Sequence, residues 1–182
     1  MSSEGAFIHS LQTLLDSPLG VFFSILCARW LIFLEVAWIC VWGFTERKSR
    51  LKHAAKEAGI AMLMALYTAL TLSQLIHRAR PFMVESEVLR LVPMPLSAYS
   101  LPSAHASAAF AMAIAILWTK PKAAIVPLLL AIGVAFGRVA VGVHYPSDVI
   151  AGAFLGLLAV VVVRLLHAAV RRTSVYREHT HG

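Results

Sequence analysis

Charged residues are scarce in this chain. Only 14% of its 182 residues are Asp, Glu, Lys or Arg, whereas 59% are hydrophobic, and the mean hydropathy is +0.78. Soluble globular domains carry about 25% charged and about 45–50% apolar residues. The composition therefore excludes an ordinary soluble domain and predicts an integral membrane protein, for which one domain is enough at this length.

Acidic residues are fewer than basic ones. Nine Asp and Glu against sixteen Lys and Arg give a formal net charge of +7. In a soluble protein such an excess would indicate nucleic acid. Here the positive residues cluster between apolar runs, which is typical of residues that orient a membrane protein. We therefore expect a lipid bilayer as the environment and no nucleic-acid partner.

Cysteine is almost absent. Cys27 and Cys40 are the two cysteines, both on the first apolar stretch, and their separation is roughly 20 Å along a helix. A disulfide needs Cα atoms within about 7 Å, so we expect no internal disulfide. Residues 1–18 also lack the basic segment that opens a secretory signal, so we expect no cleavable signal peptide.

Long apolar runs dominate the rest of the chain and predict an all-α, polytopic membrane helix bundle in a single domain. Residues 1–25 have apolar side chains three and four apart, which predicts an amphipathic helix lying at the membrane interface. Prolines in the polar loop 77–101 exclude a long helix there. The predicted spans are about 26–44, 57–76, 102–118, 123–143 and 146–169.

Loop charge orients this bundle. The 46–56 loop, the 119–122 turn and the 170–182 tail are all basic and all fall on one side. The positive-inside rule makes that side the cytoplasm, so the C-terminal tail is predicted to be cytoplasmic. The N-terminus and the 77–101 loop are then outside.

Three polar segments, at residues 77–82, 101–107 and 137–148, are brought to the outer face by this topology. Ionisable residues in a membrane are costly, so their convergence predicts a functional site. In the first segment, Arg78 and Arg80 can bind phosphate oxygens through their guanidinium groups. An anchor for lipid headgroups is the alternative for this segment.

The 101–107 segment predicts a helix start, because Pro102 is followed by small residues. The free N–H groups of a helix start favour an anion. Ser103 adds a hydroxyl donor, although capping the helix is the more common role for a serine there. His105, one turn into the helix, can pass a proton to a leaving oxygen.

The 137–148 segment holds Arg138, His144 and Asp148. Asp148 lies four residues after His144 and can accept a hydrogen bond from one ring nitrogen, which leaves the other nitrogen unprotonated and nucleophilic. Phosphoryl transfer needs such a nucleophile together with fixed positive charge around the phosphate. The three segments together therefore predict this chemistry.

A metal site is the alternative for the same residues, because two histidines and an aspartate are possible zinc ligands. The arginines beside them would repel a divalent ion, and the segments contain no second carboxylate and no pair of histidines four residues apart. We therefore expect neither a metal nor another cofactor.

The first two segments resemble signature motifs of the type 2 phosphatidic acid phosphatase superfamily. The first motif of that family is a Lys, six residues and then Arg-Pro. Arg80 and Pro81 match it, but Ser73 stands where the Lys would be. The second motif is Pro-Ser-Gly-His, and residues 102–105 read Pro-Ser-Ala-His.

The third segment is similar to the third motif of the family, which is Ser-Arg, five residues, His, three residues and Asp. Arg138, His144 and Asp148 keep this spacing, with Gly137 in the position of the Ser. The resemblance covers roughly residues 57–170 and implies an acid-phosphatase and haloperoxidase-like helical core.

The resemblance also implies roles for the matching positions. His144 would attack phosphorus and form a phosphohistidine, Asp148 would orient it, and His105 would protonate the leaving group and then activate water, without a metal. The residues implied to hold the phosphate are Arg80, Ser103, Ala104 through its backbone N–H, and Arg138, with Arg78 as a substitute for the missing Lys.

The missing Lys, the short chain and the Arg-Pro-Phe sequence at 80–82 look similar to the bacitracin-resistance branch, the undecaprenyl-diphosphatases. This branch implies hydrolysis of a prenyl diphosphate, undecaprenyl diphosphate, to undecaprenyl phosphate and phosphate at the outer face of a bacterial plasma membrane, during peptidoglycan synthesis.

Other lipid phosphates, such as phosphatidylglycerophosphate, lipid A phosphate or another prenyl phosphate, remain open as substrates. A non-catalytic lipid-phosphate transporter is the alternative of another class, although no inverted repeat or broken helix is visible. The roles of Arg29 and Glu35 and the oligomeric state also stay open.

Overall fold

The computed structural model describes residues 1–45, 49–94 and 99–180. Within these ranges the chain forms helices and no strands, which confirms the predicted all-α class. A 3₁₀ turn at Pro121–Ala124 precedes the seventh helix. The α-helices are α1 (Ser3–Leu14), α2 (Pro18–Arg29), α3 (Leu31–Thr45), α4 (Ser49–Ile76), α5 (Pro81–Val84), α6 (Ala104–Thr119), α7 (Ile125–Ala140) and α8 (Pro146–Thr180).

Among the described residues, three stretches are long and apolar enough to cross a membrane: Lys52–Val84, Pro121–Ala140 and Pro146–Val170. Helices α2 and α3 qualify as a fourth span if they are taken together, with a bend of 48° between them. Helix α6 is apolar but short, about 24 Å for its 16 residues. The predicted spans correspond to these four and α6, and the count of five stays a prediction.

The N-terminal region differs from the single helix expected over residues 1–25. Helix α1 ends at Leu14 and α2 begins at Pro18. The break follows from local chemistry, because the Ser17 side chain accepts a hydrogen bond from the Gly20 N–H and Pro18 fixes the first turn of α2. Helix α1 is also more than an interfacial helix, since Ile8 is fully buried against Val88, Val139 and Tyr145.

The other helix boundaries agree approximately with those predicted from the sequence. Residues 77–101 contain only the four-residue helix α5 within their described part. Helix α8 continues to Thr180, past the end predicted at residue 169. Arg47 and Lys48 of the predicted basic loop, and Pro95 of the predicted polar loop, lie outside the described residues.

Helix α6 is the centre of the bundle and packs against α4, α7 and α8. Its contact with α8 depends on small residues: a Cβ atom at Gly156 would lie 2.7 Å from the Ser107 carbonyl oxygen, and one at Gly152 would lie 2.8 Å from the Ser103 carbonyl oxygen. Helices in membranes associate through such close backbone approach. The packing brings the N-terminal ends of α6 and α8 side by side, where the Ser103 N–H donates to the Asp148 carbonyl oxygen at 3.0 Å.

Glu35 in α3 is completely buried. Neither of its carboxylate oxygens has a hydrogen-bond partner among the described residues. Arg29, at the end of α2, lies over the Trp30 ring with its guanidinium carbon 5.9 Å from the ring centroid. Among the described residues it forms no hydrogen bond to Glu35.

Gly137, the position that departs from the third motif, is where α7 touches α2. A Cβ atom there would overlap the backbone nitrogen of Ala28 and would lie 2.7 Å from the Cβ of Cys27. Neither neighbour is the flexible end of a side chain, so neither can move aside cheaply. The absence of a side chain at residue 137 is therefore what lets the two helices meet backbone to backbone.

We predict that Gly137→Ser, which restores the usual residue of the motif, destabilises the protein by about 1–3 kcal/mol, because overpacking a close contact costs this much. The thermal unfolding midpoint in detergent measures the effect. Gly59→Ser is the matched control, since a Cβ at Gly59 meets nothing within 4 Å. Equal midpoints for the two variants would contradict the backbone contact between α2 and α7.

Candidate active site

One cavity collects residues from all three polar segments. Its volume is about 260 Å³, and it lies where the ends of α4, α6 and α7 meet the connections that follow α4 and α7. Ser73, the residue in place of the first-motif Lys, lines it as well. The predicted site residues that line this cavity are Arg80, Ala104, His105, Arg138 and His144.

Backbone hydrogen bonds hold the segments together. The Ser100 N–H donates to the Arg78 carbonyl oxygen at 2.9 Å, and the Ser100 hydroxyl donates to the carbonyl oxygens of Arg78 and Ala79 at 3.2 and 3.1 Å. The His144 N–H donates to the Arg138 carbonyl oxygen at 3.2 Å, which closes the turn between α7 and α8. The positions of the side chains are thus fixed by the backbone behind them.

The hydrogen bonds of His144 determine its tautomer. Nδ1 lies 2.8 Å from the Ser100 carbonyl oxygen, which can only accept, so Nδ1 carries the proton. Nε2 lies 3.2 Å from Nη1 of Arg80, which can only donate, so Nε2 presents its lone pair. The ring is therefore held with an unprotonated Nε2, the form that a nucleophile needs.

The ring is also kept neutral. Burial lowers the pKa of His144 to about 4, from an ordinary value of 6.5. The charges of Arg138 and Arg80 act in the same direction, and the nearby carboxylate of Asp148 opposes them. Because this pKa lies below 6.5, the neutral form predominates from about pH 4 upwards.

Asp148 is fully buried behind His144 and does not line the cavity. Its Oδ2 lies 3.5 Å from Nδ1 of His144, farther than the Ser100 carbonyl oxygen, and accepts from the Tyr145 N–H at 2.8 Å. Asp148 therefore holds the first turn of α8, and both its hydrogen-bonding contact with His144 and its charge raise the pKa of that ring, against the larger effect of burial. The Ser100 carbonyl oxygen is the nearer acceptor for Nδ1, and the predicted role of Asp148 in orienting His144 stays a prediction.

Arg78 does not line the cavity. Its Nη1 donates to Oδ1 of Asp148 and to the hydroxyl of Ser147, both at 2.7 Å, and its Nη2 donates to Oε2 of Glu4 at 2.8 Å. The guanidinium group also stacks over the Tyr145 ring, 4.1 Å from its centroid. In the structure Arg78 binds the Asp148 carboxylate behind His144, and its predicted role as a phosphate ligand stays a prediction.

Glu4 extends this network to the N-terminal helix. Its Oε1 accepts from the Ser147 N–H at 2.8 Å, at the start of α8. Burial raises the pKa of Glu4, but hydrogen bonds from Ser147 and Arg78 outweigh this effect and hold the pKa below its ordinary value. Helix α1 is thereby attached through a charged carboxylate to the residues that support His144.

Two arginines give the cavity its charge. Arg80 and Arg138 are 6% and 5% exposed, so both guanidinium groups are nearly removed from solvent. Nε of Arg138 has no hydrogen-bond partner among the described residues, and its Nη1 reaches only the Ala28 carbonyl oxygen, at 3.4 Å. The described residues that line the cavity include no carboxylate. A buried positive cavity with an unsatisfied donor suits an anion.

The helix start at the second segment is formed as predicted, with α6 beginning at Ala104. Ser103 is completely buried and caps the helix, its hydroxyl oxygen accepting from the Ala106 N–H at 3.5 Å. It does not line the cavity, so its assignment to phosphate stays a prediction. His105 lines the cavity together with Ala104 and His144.

Sequence reasoning missed three participants: the Ser100 carbonyl, Ser147 and Glu4. A backbone carbonyl leaves no signature in the sequence, and Ser147 lay unnoticed between two motif residues. Glu4 is an acidic residue in the first turn of a helix, a position that ordinarily indicates only favourable interaction with the helix dipole. No described group of three or more His, Cys, Asp or Glu is arranged to hold a metal.

The chain is similar to known phosphatases. It is 36% identical over 106 residues to the undecaprenyl-diphosphatase of Sulfolobus acidocaldarius, covering 56% of this chain and 51% of the relative. It is 32% identical over 125 residues to the undecaprenyl-diphosphatase BcrC of Bacillus subtilis, covering 69% of this chain and 60% of the relative. The chain thus spans about half to three fifths of the length of these relatives.

A solved structure shares the fold. The crystal structure of Aquifex aeolicus LpxE matches with a TM-score of 0.64 and 22% identity, over 85% of this chain and 92% of the other. At this identity the likeness concerns the fold alone. The family model described as PAP2 superfamily matches residues 54–172, well over half of the chain and including all three polar segments. The chain therefore belongs to the PAP2 superfamily.

Proposed function

We propose that this protein is a lipid-phosphate phosphatase that hydrolyses undecaprenyl diphosphate to undecaprenyl phosphate and phosphate. The observation that carries the proposal is a cavity with an unprotonated His144 Nε2, two buried arginines and a second histidine. The substrate is supported by two relatives named undecaprenyl-diphosphatase. The activity of the family and the charge of the cavity favour an enzyme over a transporter.

In the proposed reaction, Nε2 of His144 attacks the terminal phosphorus. The bond between this phosphorus and the bridging oxygen breaks, and His105, in its imidazolium form, gives a proton to the leaving undecaprenyl phosphate. The neutral His105 then takes a proton from water, whose oxygen attacks the phosphohistidine; free phosphate is released, and both histidines return to their starting forms. Arg80 and Arg138 stabilise the charge on the non-bridging oxygens, so the chemistry needs no metal.

Arg80 changes partner in this scheme. Its Nη1 donates to the Val143 carbonyl oxygen at 2.7 Å and to Nε2 of His144 at 3.2 Å. A phosphate oxygen is a stronger, charged acceptor than a neutral ring nitrogen. Arrival of the substrate therefore draws Nη1 away from Nε2 and frees the lone pair for attack. Leu66, Leu70 and Met94 form an apolar part of the same cavity that suits the first prenyl units.

We predict that the purified protein releases phosphate from undecaprenyl diphosphate in detergent with EDTA, and that His144→Ala loses at least about a thousandfold in kcat, because the nucleophile is removed. His167→Ala is the matched control, since His167 lies on the same helix roughly 28 Å from Asp148. A radiolabelled terminal phosphate should label the wild-type chain in an acid-labile form.

Other outcomes of this assay would overturn particular parts of the proposal. Full activity of His144→Ala would exclude the mechanism, and loss of activity in EDTA would favour a metal site. Hydrolysis of phosphatidylglycerophosphate, lipid A phosphate or another prenyl phosphate at a higher rate than undecaprenyl diphosphate would identify that lipid as the substrate instead. Tight binding of the lipid without turnover would favour the transporter.

A second prediction concerns protonation of His144. With ¹⁵N-labelled histidine, the ring nitrogens of His144 should titrate near pH 4, because burial lowers this pKa, and above that pH the shifts should report a proton on Nδ1. His144→Gln assigns the signals. A midpoint at the ordinary value of about 6.5, or a proton on Nε2, would contradict the proposed resting state of the nucleophile.

We further propose that the protein is a multi-pass protein of a bacterial plasma membrane, with the site at the extracytoplasmic face and the C-terminus in the cytoplasm.

Cysteine accessibility tests this orientation. In a Cys27→Ala, Cys40→Ala background, Glu87→Cys should react with an impermeant maleimide in intact cells, because Glu87 is exposed at the end that holds the site. Lys122→Cys, exposed at the other end of α6, should react only after lysis. The reverse labelling pattern would show that the orientation is opposite to the one proposed.

A further inference from the structure

A second cavity lies far from the candidate active site, between α3 and α4, with a volume of about 640 Å³. Met112 of α6 is buried and forms part of its wall. The two cavities are well separated along α4. Lys56 lines this cavity and Ser73 lines the candidate active site, and the two residues are 17 positions, or about 25 Å, apart. The cavity is called the α3–α4 groove below, and its lining residues are Val36, Ile39, Cys40, Gly43, Phe44, Lys52, Ala55, Lys56, Gly59, Met62 and Met112.

The dimensions of the groove suit a single hydrocarbon chain. Its lining on α4 runs from Lys52 to Met62, a length of about 15 Å, of which the part beyond Lys56 is about 9 Å. One leaflet of a bilayer has about 15 Å of hydrocarbon, half of about 30 Å, so the groove accommodates part of an acyl chain. Gly59 keeps the middle of the groove open, because a Cβ atom there would meet nothing within 4 Å. The part of an acyl chain nearest the headgroup can therefore lie along α4 beyond Lys56.

Two positive charges lie at one end of this apolar groove. Lys52 and Lys56 are one turn apart on α4 and both are exposed. Neither forms an ion pair or a hydrogen bond with another residue that the structure describes. Glu57, the neighbouring carboxylate, is engaged by Arg164 at 3.2 Å and by His167 at 3.1 Å, so it does not pair with Lys56.

We propose that the α3–α4 groove binds one acyl chain of an anionic phospholipid, with the lipid phosphate and headgroup bound by Lys52 and Lys56. Charge complementarity selects this occupant. A zwitterionic lipid would fill the groove equally well but would gain little from the two lysines, whereas an anionic headgroup is attracted by each of them. The site belongs to the leaflet at the end of the bundle opposite the catalytic cavity, and it stands independently of the proposed reaction.

Native mass spectrometry of the detergent-purified protein tests this site with palmitoyl-oleoyl phosphatidylglycerol and phosphatidylcholine as probes. The wild type should retain one phosphatidylglycerol and prefer it over phosphatidylcholine by about thirtyfold, since each lysine near an anionic lipid contributes about a factor of five. The double variant Lys52→Gln, Lys56→Gln should lose this preference. Lys122→Gln, a basic residue at the same end but outside the groove, should keep it.

Gly59→Leu tests the apolar part, because a Cβ atom at residue 59 meets nothing within 4 Å and the added side chain would occupy the groove. The affinity of this variant for phosphatidylglycerol should fall by about tenfold, which corresponds to a loss of about 1.4 kcal/mol in binding free energy. Thr71→Leu, exposed on the same helix outside both cavities, is the matched control. If Gly59→Leu does not fold, the lysine variant still decides the proposal.

Three results would overturn the inference. Equal retention of both lipids by the wild type would show that the two lysines give the groove no preference for an anionic lipid. Undiminished phosphatidylglycerol binding by both Gly59→Leu and the lysine variant would locate the lipid elsewhere. A dimer mass that disappears in Gly59→Leu would identify a second copy of the chain as the occupant.

Discussion

The buried carboxylate of Asp148 is the group on which the candidate site depends. It receives hydrogen bonds from the Tyr145 N–H and from Arg78, and it lies within 3.5 Å of the His144 ring. A carboxylate without solvent must be satisfied by protein donors. The need to satisfy this one group fixes the first turn of α8, attaches the 77–82 segment, and through Glu4 joins the N-terminal helix to the same point.

Small residues make this arrangement possible. Gly152 and Gly156 let α8 approach α6 closely enough for the Ser103 N–H to reach the Asp148 carbonyl oxygen, and Gly137 lets α2 meet α7 beside Arg138. Apolar attraction between helices is weak in a bilayer, so close backbone contact supplies much of the stability. Close backbone contact between helices therefore works together with the polar network around Asp148 to hold the site in place.

The two cavities differ in how they recognise negative charge. The candidate catalytic cavity is lined by buried arginines, whose planar groups are suited to binding phosphate oxygens in fixed directions. The α3–α4 groove uses exposed lysines, which attract charge without fixing its orientation. The first arrangement suits the proposed phosphoryl transfer, and the second suits the proposed binding of a mobile lipid. Helix α4 contributes to both, at opposite ends.

The sequence by itself determined the helical class and the segments of the site, because hydrophobic runs and the spacing of Arg138, His144 and Asp148 are local properties. It did not determine which atoms meet. The acceptor for His144 is a backbone carbonyl 44 residues away, and the partner of Arg78 is Glu4, 74 residues away. Such contacts arise only when helices pack, so the tertiary structure decided the tautomer of His144, the place of Arg78 behind the site, and the need for glycine at residue 137.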